Sequence, residues 1–136
     1  TLASYDLNNL KLIWSVQIGG GNAPIVSGNT LFLIDNRNIV HAMNAKNGKI
    51  KWMKQLDSII EEGFYFKDIK KINFIGPFLI DNKLTLFSSN GYLKIIDPLN
   101  GKFLKSTNFD LLGTEPIFIE DKLIILTSDG DLKVYK

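Results

Sequence analysis

Apolar and polar positions along this chain fall into short runs, and turn-forming residues separate the runs at regular intervals. Within residues 73–109, Phe74–Ile80 stops at Asp81-Asn82 and Leu84–Ser88 stops at Ser89-Asn90-Gly91. Tyr92–Asp97 then stops at Pro98–Gly101, and Lys102–Phe109 completes the set. Runs of this size bounded by Asn, Asp, Gly and Pro predict strands. Connections this short make neighbouring strands antiparallel. The second run is almost continuously apolar wherever it recurs: Leu31-Phe32-Leu33-Ile34, Leu84-Thr85-Leu86-Phe87 and Leu123-Ile124-Ile125-Leu126. Such a strand is covered on both faces. The third run is closer to alternation, as in Leu93-Lys94-Ile95. Asn90-Gly91 and Asp129-Gly130 predict tight two-residue hairpins in which both central residues take positive φ. Asn38 stands in the glycine column of the first copy and tolerates that geometry.

The pattern is one repeated unit. With Pro24, Pro77 and Pro116 in one column, Leu31, Leu84 and Leu123 coincide, as do Val40, Leu93 and Leu132. The phrase Asn44-Ala45-Lys46-Asn47-Gly48-Lys49-Ile50-Lys51-Trp52 returns as Asp97–Lys105 and, in a worn form, as Asp6–Trp14. Trp14 to Trp52 is 38 residues, Pro77 to Pro116 is 39, and Pro24 to Pro77 is 53. The last interval therefore carries an insertion over 57–72. A four-stranded antiparallel sheet with a doubly covered inner strand needs another sheet on each side. Radial stacking of such sheets is a β-propeller with one blade per repeat. The fold class is thus all-β, with propeller blades of four antiparallel strands and an incomplete ring of about three blades. Its parts are a half blade at 1–18 (third and fourth strands), a blade at 22–56, the insertion at 57–72, a blade at 73–109 and a partial blade at 113–136. Trp14 and Trp52 are expected to pack one blade on the next. Lys105 holds their column in the following copy, where that contact should be weak. The unfinished end blades predict self-association through open strand edges.

Composition and charge narrow the functional classes. The chain has 136 residues, 45% of them hydrophobic, and a net charge of +2 from 16 basic and 14 acidic residues. That balance points away from a nucleic-acid partner. There is no cysteine, which excludes disulfides and thiolate chemistry. No apolar run approaches the roughly 20 residues needed to span a bilayer as a helix. The chain opens on Thr1, which reads as a mature or excised segment.

Candidate chemistry is sparse. His41, the one histidine, lies in the column of Lys94 and Lys133 and is expected at the surface. Asp129-Gly130-Asp131 lacks the remaining ligands of a calcium loop. Gly19-Gly20-Gly21 precedes a strand and not a helix, so it offers no helix N-terminus to a phosphate. No catalytic, metal or cofactor-binding residues are assigned. In the insertion, Ser58 and Glu61 resemble a capping box, with Gly63 limiting any helix to a turn. The aromatic run Phe64, Tyr65, Phe66 beside Lys67 is the least repeat-like text, and it is the candidate surface for a protein partner.

His41-Ala42-Met43-Asn44 through Gly48 to Trp52 resembles the PQQ-type propeller repeat, whose pattern reads approximately ALDAxTGxxxW. Ile95-Ile96-Asp97 to Lys102 is a second copy without the Trp, and Ser4-Tyr5-Asp6 to Trp14 is a third with Leu10 in place of Gly. The resemblance covers nearly all of the chain outside the insertion. Two branches of that family bear on function. Quinoprotein dehydrogenases carry an axial quinone cofactor, a carboxylate-held metal and a vicinal disulfide, and this chain has no cysteine. The branch most similar to it is the BamB-like one, which comprises scaffolds of the outer-membrane β-barrel assembly machinery in the periplasm. That resemblance implies a non-catalytic protein–protein interaction scaffold with no cofactor, a protein partner in an outer-membrane assembly complex and a periplasmic location. A fragment of a quinoprotein dehydrogenase, or a propeller sensor ectodomain, is the alternative.

Overall fold

A computed structural model describes residues 1–57, 59–60 and 70–136. The strands are β1 (Leu2–Tyr5), β2 (Leu12–Val16), β3 (Ile25–Ser27), β4 (Thr30–Ile34) and β5 (Ile39–Asn44). They continue as β6 (Ile50–Gln55), β7 (Ile59–Ile60), β8 (Lys70–Lys71), β9 (Phe74–Ile80) and β10 (Lys83–Ser88). The last are β11 (Tyr92–Ile96), β12 (Phe103–Asn108), β13 (Ile117–Ile119), β14 (Lys122–Leu126) and β15 (Leu132–Tyr135). No helix occurs among the described residues. The sheets run β1-β2, β3-β4-β5-β6, β9-β10-β11-β12 and β13-β14-β15, each antiparallel between chain neighbours. These are successive blades of a β-propeller, and the ring is not closed.

The continuously apolar strands explain the stacking. On β4 and β5, Phe32, Ile34, Val40 and Ala42 face the next blade and meet Leu84, Leu86 and Ile96, with Leu56, Ile72 and Phe74 completing the core. The opposite face, Leu31, Leu33 and Met43, packs on Leu2, Trp14 and Val16 of the first sheet and on Ile18 just beyond it. Each fully buried aliphatic side chain contributes roughly 1.5–3 kcal/mol, so two faces per strand make the blades interdependent. Aromatic rings fill the last interface: Phe78 with Phe118 at 4.9 Å between centroids, and Phe109 with Tyr135 at 5.2 Å. This is the junction where Lys105 replaces tryptophan.

Two local expectations change. Asn90 and Asp129 do not take positive φ; only Gly91 (79°), Gly130 (92°) and Asn38 (60°) do. The Gly91 N–H donates to Ser88 O at 3.1 Å and that of Gly130 to Thr127 O at 3.0 Å. The geometry is a four-residue turn closed by a left-handed residue, which twists the strands correctly without two strained positions. The two-residue turn with both central residues at positive φ is Asp81-Asn82, at 48° and 56°. The insertion is also more than a loop. Its flanks pair as a short ladder, Ile59 opposite Lys71 and Ile60 opposite Lys70.

Candidate functional site

The three turns between third and fourth strands are built alike. Asp6, Asn44 and Asp97 each accept a backbone N–H two residues on, from Asn8, Lys46 and Leu99 at 2.8–2.9 Å. Asn9, Asn47 and Asn100 repeat the device toward Lys11, Lys49 and Lys102 at 2.9–3.0 Å. Short polar side chains closing local N–H groups are what favour Asn and Asp here. The next position is left-handed: Leu10 at 57°, Gly48 at 70°, Gly101 at 74°.

Tryptophan joins the second and third of these turns to the blade before each. Trp14 Nε1–H donates to Ala45 O at 3.0 Å and Trp52 Nε1–H to Pro98 O at 2.9 Å. The indole lies so close to the turn that a Cβ on Gly48 would stand 2.7 Å from Trp14 Cε3, and one on Gly101 2.7 Å from Trp52 Cε3. A bulge immediately beside each tryptophan supports this placement. Register shifts at Ser4/Tyr5 and Ala42/Met43, and again at Ile95/Ile96 beside Lys105. Bulges re-aim side chains in this way.

A second repeated device was invisible in the hydropathy pattern. Asp35, Ser88 and Thr127 occupy one column at the end of the second strand, and all three are buried. Each accepts the backbone N–H four residues on: Ile39 to Asp35 Oδ1, Tyr92 to Ser88 Oγ and Asp131 to Thr127 Oγ1, all at 3.0 Å. The spacing of these residues from Asn38, Gly91 and Gly130 was a usable signal.

His41 is not at the surface. It is 2% exposed, and its Nε2 lies 3.1 Å from Asp35 Oδ2. The lysines in its column also have partners: Lys94 Nζ pairs with Asp57 and Lys133 Nζ with Asp110 at 2.8 Å. Asp57 and Asp110 stand five residues past Trp52 and Lys105, in the crossover leaving the preceding blade. The same place after Trp14 is Gly19, which has no carboxylate. The imidazole therefore turns to the carboxylate in its own blade. Arg37, outside, completes the group through Nη2 to Asp35 Oδ2 at 3.0 Å.

Burial raises the pKa of Asp35, but hydrogen bonds from the Ile39 N–H, His41 and Arg37 outweigh it and hold the carboxyl below its ordinary value. Asp110 is held low chiefly by hydrogen bonding from Lys133 and then from Tyr135. Lys133 is pushed up by the same hydrogen bond to Asp110, against the opposing effect of burial. Two lowered carboxylates add stability that is complete above their unfolded pKa of about 4 and is lost as pH falls through the lower folded values. The raised ammonium contributes below its unfolded pKa and loses its share only as pH rises through the folded one. We expect Asp35→Asn and Asp110→Asn each to flatten the acid side of the unfolding-midpoint profile below about pH 4. Retention of the wild-type slope in both variants would show that these carboxylates do not carry the dependence. Ser88→Ala should lower stability by about 1 kcal/mol at any pH, since it strands the partly buried N–H of Tyr92. Chemical denaturation measures that loss.

The base of the insertion is pinned. Asn38 Nδ2 donates to Ile72 O at 2.6 Å and Lys71 Nζ to Asn36 O at 3.2 Å. Phe64, Tyr65, Phe66 and Lys67 lie outside the described residues, as do Ser58, Glu61 and Gly63. Among the described residues, no group of three or more His, Asp and Glu side chains could hold a metal ion. No helix there is long and apolar enough to cross a membrane. A recess of about 620 Å³ lies between β9–β11 and the terminal sheet and includes Thr85, Ile95 and Phe118.

Comparison with known proteins gives the relationship. The chain is 28% identical over 131 residues to the outer membrane protein assembly factor BamB of Escherichia coli, covering 95% of this chain and 30% of that protein. Over nearly all of its length the chain is similar to BamB. A solved BamB from Moraxella catarrhalis superposes with a TM-score of 0.70 over 97% of this chain and 37% of its own, at 13% identity. A europium-containing methanol dehydrogenase superposes at 0.60 over 98% of this chain and 27% of its own, at 18% identity, a likeness of fold alone. No family model matches. The chain thus spans about a third of the length of the BamB proteins it matches.

Proposed function

We propose that this chain is part of a non-catalytic scaffold that holds proteins together during outer-membrane protein assembly, on the periplasmic side of the outer membrane. The observation that carries the reading is similarity across 95% of the chain to a protein named as an assembly factor. The site agrees with it. Every repeated polar device described above closes a turn or ties one blade to the next. Rigid blades with an insertion anchored at both ends are a suitable mount for a recognition surface. Phe64, Tyr65 and Phe66 are assigned as the aromatic anchors of that surface and Lys67 as its charged border, the composition that dominates binding energy at interfaces.

A chimera tests the reading. The matching segment of E. coli BamB is replaced by this chain in a strain lacking BamB, and outer-membrane protein levels are measured. Restoration supports the scaffold. A chimera that accumulates in the periplasm but restores nothing overturns it. Replacing Phe64, Tyr65 and Phe66 together by serine should abolish restoration without lowering the amount of folded chimera. Full restoration by that variant would move the contact elsewhere.

A further inference from the structure

We propose that the outer edge of the first complete blade, strand β6, takes an acidic and aliphatic extended segment of a partner protein as a fifth strand. The inference rests on the scaffold reading and names a second contact within it.

Charge is distributed unevenly among equivalent elements. From the turn through the outer strand, residues 44–55 carry Lys46, Lys49, Lys51 and Lys54 and no carboxylate. The equivalent residues 97–108 carry Asp97, Lys102 and Lys105, and residues 6–17 carry Asp6 and Lys11. The three edges thus hold net charges of +4, +1 and 0. The first blade reaches +4 partly because Asn44 replaces the aspartate of the other turns while still closing the turn at 2.9 Å. None of the four lysines is in an ion pair among the described residues. Lys54 extends over the ring of Phe103, 4.6 Å from its centroid, which carries positive charge onto the neighbouring blade.

The same edge offers backbone and apolar groups. β6 is the last strand of its sheet, and along Ile50–Lys54 it pairs, among the described residues, with β5 alone. Leu56 N–H donates back to Asn38 O at 2.9 Å. Alternation along a strand then points the N–H of Lys54 inward and that of Met53 outward. Ile50 is 50% exposed and Met53 56%, interleaved with the lysines. An added strand gains main-chain hydrogen bonds from the edge and side-chain selection from what flanks it. Here the flanks select alternating carboxylates and aliphatic groups.

The test uses the full chain and a labelled octapeptide alternating Glu and Val, with a Lys–Val octapeptide and phosphatidylglycerol vesicles as comparisons, read by fluorescence anisotropy and co-sedimentation. Binding of the Glu–Val peptide alone is expected. Lys49→Glu with Lys51→Glu should weaken it by about tenfold or more, while Lys102→Glu, in the second blade, leaves it unchanged. Met53→Pro removes an outward N–H that no neighbouring strand uses among the described residues, a position where an edge tolerates proline. It should abolish binding with the circular dichroism spectrum retained. Equal loss in Lys102→Glu, binding to vesicles only, or no binding would overturn the proposal and leave the lysines as guards against edge-to-edge association. Restoration of outer-membrane proteins by the chimera alongside a negative peptide result would discard this contact and keep the scaffold.

Discussion

Trp52→Ala is expected to lower stability by about 3 kcal/mol, one of the largest effects in the chain. An indole buries about 150–250 Å² when fully covered, worth roughly 4–6 kcal/mol at most. Trp52 is partly exposed, which trims that value. Truncation also strands Pro98 O, whose donor is Trp52 Nε1–H at 2.9 Å, and leaves a gap over Gly101 that a backbone without side chains cannot fill. Phe32 loses its ring neighbour at 6.0 Å. Because the contact joins two blades, the loss should appear as a broadened urea transition as well as a lower midpoint. A fall below about 1 kcal/mol would show that the aliphatic core alone joins the blades.

Gly101→Ala should cost about as much, for a reason confined to one atom. The residue sits at φ +74°, where a Cβ is disfavoured by roughly 1–2 kcal/mol. That Cβ would also stand 2.7 Å from Trp52 Cε3 and 3.1 Å from Cδ2, inside an indole fixed by its own hydrogen bond. Strain and displacement together predict a loss of about 2–4 kcal/mol. The equivalent position in the first turn reverses the sign. Leu10 holds the same conformation at 57° and is 74% exposed. Leu10→Gly should therefore relieve strain and stabilise by about 0.5–1 kcal/mol. Opposite signs at one column, measured by thermal unfolding, are the signature sought. Destabilisation at both would mean that Leu10 packs against a surface of its own.

The strands were largely readable because their signals are local. Phe74–Ile80 was expected with the bounds it has, and β10 and β11 differ from expectation by one residue at one end. The unfinished ring was readable too, since a doubly apolar strand demands a neighbour on each side. The site was less so. His41 departs from the surface position that its column with two lysines predicts, because its place depends on which carboxylate faces that column. Only Gly19 in place of Asp57 and Asp110, together with Asp35 nearby, explains why this one residue is buried. The dipeptides Asn90-Gly91 and Asp129-Gly130 predict two-residue turns, whereas Ser88 and Thr127 upstream decide their geometry.

By itself the sequence determined the period, the order of strands, the blade type and the glycine positions, because each depends on neighbours close in the chain or on repetition of one unit. Tertiary structure alone decided which carboxylate each basic side chain meets, where the bulges aim the tryptophans, and which glycine lies beneath an indole. Those outcomes depend on distances between blades, which arise only after the apolar faces have packed.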